Sequence, residues 1–132
     1  MKKFLLLLCL VFTPFVCADV THIAPKDAAK LVAEGKAVLV DVREPAEWAE
    51  TGVAAEAILL PKSDFDGSKK LWKEFLAQTD GKEVILYCRS GRRSGVIGDA
   101  LAAKGIKVAN AGGFNDWTAA GLPTRKVEEK KP

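Results

Sequence analysis

Two periods of apolar residues take turns along this chain. Behind Pro25, Ala28, Leu31 and Val32 recur at helical spacing and Gly35 supplies a stop, which predicts an amphipathic helix over residues 25–34. Ala24 is a poor cap, so the start of that helix rests on the proline. AVLVD, Ala37–Asp41, is a short continuous apolar run of the kind found in a strand covered on both faces. PAEWAE opens at Pro45 as a short helix closing near Gly52, and AILLP, residues 57–61, reads as a second short strand. A helix is expected over residues 67–77, with Leu71, Trp72, Phe75 and Leu76 on one face. EVILYC, Glu83–Cys88, is the clearest strand, and residues 94–105 form a helix ending at a glycine C-cap. IKVAN gives another strand, AGGF a tight turn and FNDWTAAG a short helix. No internal repeat is visible. Strands alternating with helices point to an α/β domain with a mainly parallel sheet, whose ligands collect at the carboxyl ends of the strands. Asp41, Arg43 and Cys88 all fall at that edge.

Composition narrows this picture. At 132 residues and 48% hydrophobic content, the chain has room for one compact domain. The first eighteen residues, MKKFLLLLCLVFTPFVCA, combine two lysines, an apolar stretch from 4 to 12 and a small residue at the end. They predict a secretory signal cleaved before Asp19 and a periplasmic or secreted location. Pro14 interrupts a stretch already short of the ~20 residues needed to span a bilayer, so no membrane contact is expected after cleavage. The residues before Cys17 lack the small side chain that a lipid-attachment site requires. The domain then covers residues 19–126, followed by a charged tail, 127–132.

Cleavage alters both the charge and the cysteine count. Loss of Lys2 and Lys3 takes the net charge from +3 to +1, with 18 basic against 17 acidic residues. The only dense basic cluster is Arg89, Arg92 and Arg93, which argues against a nucleic-acid partner. Cys9 and Cys17 leave with the signal, so Cys88 stays alone and no internal disulfide is possible. A solitary thiol in an oxidising compartment suggests a reactive group more than a staple, and, if exposed, one able to form an intermolecular disulfide.

The stretch ILYCRSGRRSG, residues 85–95, sets that thiol at the end of a strand and before a helix. The five-residue turn between them can aim its backbone N–H groups inward as an anion-binding nest, and the helix N-terminus points the same way. With three arginines nearby, both effects favour thiolate and should pull Cys88 from ~8.5 toward or below neutrality. Gly91 permits a positive φ in the turn, and Gly95 permits close approach of the first helical turn. His22, the one histidine, is far from Cys88 in sequence and reads as a surface or cap residue, which weakens a Cys-His acyl-transfer pair. One Cys and one His cannot build a thiolate zinc site, and neither a second Cys for a CxxC pair nor a phosphate-binding GxxxxGK[ST] is present, so no metal or cofactor is expected. Sulfur transfer and phosphate-ester hydrolysis both need only a thiolate and an anion cradle.

Three ordered motifs go further. Asp41-Val42-Arg43-Glu44-Pro45 with Trp48, Cys88-Arg89-Ser90-Gly91-Arg92-Arg93-Ser94, and Ala111-Gly112-Gly113-Phe114 with Trp117, Ala120-Gly121 and Pro123 together resemble a single-domain rhodanese, a thiosulfate sulfurtransferase, of the secreted periplasmic type. The chain departs from the family's Gly-His-Ile-x-Gly-Ala-x-Asn-Ile-Pro segment, where Val53, Glu56 and Leu59 replace the His, the second Gly and the Asn. Glu56 is expected to alter that turn. The resemblance implies a central, mainly parallel five-stranded sheet with helices on both faces. It also implies a two-step reaction: Cys88 takes the outer sulfur of thiosulfate, sulfite leaves, and the persulfide passes its sulfur to a thiol or cyanide. Arg89, Ser90, Gly91, Arg92, Arg93 and Ser94 would form the substrate-binding loop, and its basic character goes with thiosulfate. Asp41 and Arg43 would support the strand edge by pairing with each other or with neighbours, and Trp48, Trp72 and Trp117 belong to the core. A carrier or anion-binding module with little turnover is the rival. A Cys-dependent phosphatase is disfavoured, because Cys-x5-Arg would need an arginine where Ser94 stands. The oligomeric state is left open.

Overall fold

The computed structural model of the chain describes residues 19–79 and 81–128. The expected secretory segment, residues 1–18, and most of the charged tail lie outside the described residues.

In chain order the elements are β1 Thr21–His22, α1 Pro25–Ala33, β2 Ala37–Asp41, α2 Pro45–Thr51, β3 Val53–Ala54, β4 Ile58–Leu59, α3 Lys62–Asp66, α4 Lys70–Leu76, β5 Glu83–Cys88, α5 Arg92–Ala103, β6 Val108–Gly113, α6 Phe114–Ala119 and β7 Thr124–Arg125. Five strands form one sheet in the order β1-β6-β5-β2-β4, and every neighbouring pair is parallel. A separate antiparallel pair joins β3 to β7.

Alternation along the central strands divides the core. Leu39, Ile85 and Tyr87 face one side, where they meet Ala28 of α1, Trp48 of α2 and Phe114 and Trp117 of α6. Val40, Val84, Leu86 and Cys88 face the other, against Trp72 of α4 and Ile97 and Leu101 of α5. Because both faces are covered, β2 and β5 carry almost no polar residue until their carboxyl ends. The three tryptophans are core, at 7%, 1% and 4% exposure for Trp48, Trp72 and Trp117.

Several expectations shift. The helix expected over 67–77 is α4 alone, beginning at Lys70, and α3 precedes it. Asp64 makes the break: its carboxylate accepts from the Ser68 hydroxyl and from the Trp72 N–H, both at 3.1 Å, while Lys69 turns the chain at a φ of 60°. Trp72 therefore points inward and Leu71, placed on the same face by its spacing, is 45% exposed. α5 starts at Arg92 rather than Ser94, because Gly91 caps it with a φ of 93°. Ala111 to Gly113 continue β6 where a tight turn was expected, with a register shift against β5 between Leu86 and Cys88 and a φ of 86° at Gly112 absorbing the irregularity. The turn at Ala55 and Glu56 closes through an Ala57 N–H to Ala54 carbonyl bond of 3.0 Å without any left-handed residue, so Glu56 stands there unstrained.

Candidate active site

Parallel pairing sets the carboxyl ends of β2 and β5 side by side, with Asp41 opposite Tyr87 and Cys88 one step beyond. Cys88 is only 1% exposed, a correction to the idea of an exposed thiol open to intermolecular disulfide formation. Its sulfur lies under a short loop, residues 89–91, and the first turn of α5. The five-residue turn read from the sequence is thus a three-residue loop plus a helix start.

The Gly91 N–H donates to Sγ at 3.0 Å, and the Ser94 hydroxyl lies 3.4 Å from it. Burial pushes the Cys88 thiol up, but the Ser94 hydroxyl and the N–H groups of Ser94, Ser90 and Gly91 outweigh it and hold the group below the ordinary thiol value. Hydrogen bonds lead this effect, not arginines. Arg89 and Arg92 are exposed on the outside of the loop. Arg93 instead donates to both carboxylate oxygens of Glu47, at 2.5 and 2.8 Å, so it is a latch between α5 and α2 more than a free anion-binding cation. Its charge still faces the Cys88 thiolate. The same pairing holds the Glu47 carboxyl below its usual range. The latch is therefore complete above the ordinary glutamate range and is lost as the pH falls through the folded value.

Asp41 and Arg43, expected to pair with each other or with neighbours, pair with each other at 0% and 2% exposure. Arg43 Nε and one terminal nitrogen bond the carboxylate at 2.8 to 3.1 Å. That same terminal nitrogen also donates to the Gly52 carbonyl and the other donates to Thr51 Oγ1, both at 2.9 Å, and the guanidinium lies 4.6 Å over the Phe114 ring. Beside the loop, Arg43, Glu47, Thr51, Arg89 and Phe114 line a cleft of about 170 Å³. His22 sits exposed on β1, one strand removed from β5.

Two residues at this site were not singled out from the sequence. Glu47 carried no sign of its partner, which lies 46 positions away. Asn110 did carry one: it is the polar residue inside the otherwise apolar strand β6, and its side chain accepts from the Ser94 hydroxyl at 2.8 Å and donates to the Gly91 carbonyl at 2.8 Å.

Gly113 lies across from Cys88 in the β5–β6 register, and a Cβ there would stand 2.3 Å from the Arg89 carbonyl oxygen. Gly113→Ala is accordingly expected to displace the loop, at a cost of about 1–3 kcal/mol in stability. Urea denaturation measures that loss, and the pH dependence of Cys88 alkylation should move upward with it.

Residues 24–120 match the model of the Rhodanese-like domain family. An uncharacterized protein of Synechocystis is 37% identical over 108 residues, spanning 80% of this chain and 56% of that one. The thiosulfate:glutathione sulfurtransferase of Saccharomyces cerevisiae is 33% identical over 92 residues, 64% of this chain and 66% of the relative. The chain thus matches between about half and two thirds of the length of these curated relatives. Among solved structures, the polysulfide-sulfur transferase homodimer of Wolinella succinogenes superposes with a TM-score of 0.66 at 28% identity, over 84% of this chain and 82% of that one.

Proposed function

The chain belongs to the rhodanese-like domain family, and from that premise we propose that it is a thiosulfate sulfurtransferase with Cys88 as the sulfur carrier. Sulfurtransferases among its relatives support transfer of sulfur in general, and one of them is named for thiosulfate. The observation that carries the proposal is a buried sulfur, the only cysteine among the described residues, receiving an N–H at 3.0 Å and facing a hydroxyl from its own loop and helix start. Such donors stabilise negative charge on Sγ before attack and on the terminal sulfur afterwards.

In the first step, a lone pair of the Cys88 thiolate attacks the outer sulfur of thiosulfate. The bond from that sulfur to the sulfite sulfur breaks with its electron pair, sulfite leaves, and the single negative charge of the thiolate now sits on the terminal sulfur of the persulfide. In the second step a thiolate or cyanide takes that terminal sulfur, and Cys88 is released as thiolate. Arg89 and Arg92 on the loop exterior give an incoming dianion a favourable approach. Phosphate-ester hydrolysis fits less well, since Arg93 is committed to Glu47 and the position six after Cys88 is the buried Ser94. In this reading the leader-like first eighteen residues send the chain to the periplasm or outside the cell.

Mass spectrometry of the chain after thiosulfate treatment should show Cys88 heavier by one sulfur, and sulfite should be released repeatedly when cyanide or a thiol is supplied. One sulfur gained without repeated release would make the protein a carrier. No gain at all would overturn both.

A further inference from the structure

The Ser94 hydroxyl has one hydrogen and two acceptors in reach, Cys88 Sγ at 3.4 Å and Asn110 Oδ1 at 2.8 Å. The orientation of the Asn110 amide is set by its other bonds. Its nitrogen donates to the Gly91 carbonyl at 2.8 Å and its oxygen accepts from the Gly112 N–H at 3.0 Å, whereas the flipped amide would oppose donor to donor and acceptor to acceptor. Asn110 is 3% exposed and Ser94 is fully buried, so water does not readily take the place of either partner.

We propose that Asn110 is a positioning residue that competes with Cys88 for the Ser94 hydrogen and thereby tunes the nucleophilicity of the sulfur. As thiol, Cys88 donates to Ser94 Oγ and the hydroxyl donates to Asn110. On ionisation the hydroxyl turns to Sγ, and Asn110 Oδ1 keeps only the Gly112 N–H. When Sγ becomes the inner atom of a persulfide its charge has moved outward, and the hydroxyl returns to Asn110. The amide thus gives the hydrogen somewhere to go whenever the charge leaves Sγ, which makes the thiolate less comfortable and more reactive than Ser94 alone would leave it. This last consequence rests on the sulfurtransferase reading; the competition itself does not.

Arg93 is the charge that acts on the same sulfur. The neighbouring elements also carry Asp41 and Arg43 at the end of β2, Glu47 on α2, the exposed Arg89 and Arg92, Asp116 of α6 at the Gly113 N–H, and His22, the register partner of Asn110 on β1. All of them are common to the chains compared below, so a double-mutant cycle removes them.

The pH dependence of Cys88 thiolate absorbance, read without any sulfur donor, tests the competition. Asn110→Ala should lower the midpoint by about half to one pH unit, because the hydroxyl then serves Sγ alone. In a Ser94→Ala chain, whose own midpoint rises, adding Asn110→Ala should bring no such fall. A merely structural Asn110 would do the opposite, since a loosened loop weakens the Gly91 N–H bond and raises the midpoint in both backgrounds. Either a rise, or an equal shift in both backgrounds, overturns the proposal. The unmutated chain supplies a check that needs no Asn110 variant: the Asn110 side-chain amide and Gly112 N–H resonances should titrate with the Cys88 midpoint, and should stop doing so in Ser94→Ala. If they do not follow Cys88, the proposal fails. With thiosulfate and full ionisation, Asn110→Ala should then slow sulfur uptake about two- to threefold, as expected for a less basic thiolate. If the midpoints behave as stated and Cys88 never gains sulfur, it is the sulfurtransferase reading that fails.

Discussion

Cys88→Ser is expected to end sulfur uptake from thiosulfate and to cut turnover by more than about a thousandfold while leaving the fold intact. The serine oxygen can accept the Gly91 N–H that Sγ now accepts at 3.0 Å, so the loop loses no partner. What disappears is the polarisable anion that can carry a second sulfur. Sulfite release with cyanide as acceptor measures the loss, and a residual rate within tenfold of the parent chain would move the chemistry to another residue. The same pair of chains reports the sign of the ionisation. Because the folded site holds Cys88 below its unfolded value, the hydrogen bonds to the thiolate favour the folded state fully above ~8.5 and cease to do so as the pH falls through the lower, folded value. The stability difference between the parent and Cys88→Ser should therefore grow with rising pH, and alkylation of the parent should persist below the range of an ordinary cysteine.

Arg43→Ala is expected to carry the largest loss of stability, about 3–5 kcal/mol, since it leaves the Asp41 carboxylate buried without its cation. The arginine also spans β2, Thr51 and the Gly52 carbonyl, and covers the Phe114 ring, so its removal opens a gap on that side of the sheet. Arg43→Lys should recover only part of the loss, because an ammonium cannot reach Asp41, Thr51 and Gly52 together. Combining Asp41→Leu with Arg43→Met should cost less than Arg43→Ala, as no charge is then stranded. Urea denaturation of the three variants checks the order. A cost below about 1 kcal/mol for Arg43→Ala would show the pair to be dispensable.

The central strands were legible because their burial leaves a local trace. Ala37–Asp41 and Glu83–Cys88 read as continuous apolar runs, and both lie between covered faces. The two-residue strands β1, β3 and β7 left none; each exists through a partner strand distant in the chain, and two residues carry no period. Ser94 looked like the first residue of a helix. Its hydroxyl in fact turns away from the backbone toward Sγ and Asn110, while Gly91, with no side chain, makes the cap. Of the residues from Arg89 to Ser94, the Gly91 N–H and the Ser94 hydroxyl reach Cys88, Arg89 and Arg92 lie exposed, and Arg93 has its fork on Glu47, a pairing that no local pattern announces. For Asp41 and Arg43 the sequence suggested pairing with each other or with neighbours, and the i, i+2 step at the strand end brings them to each other.

The order of strands in the sheet bears on how such a chain acquires its shape during synthesis. β1, the earliest strand among the described residues, has its single neighbour in β6, and β3 waits for β7. A nascent polypeptide therefore holds its earliest strand unmatched until residues 108–113 emerge. β2 can meet β4 and β5 sooner, so the middle of the sheet can assemble first and the β6–β1 flank is added last.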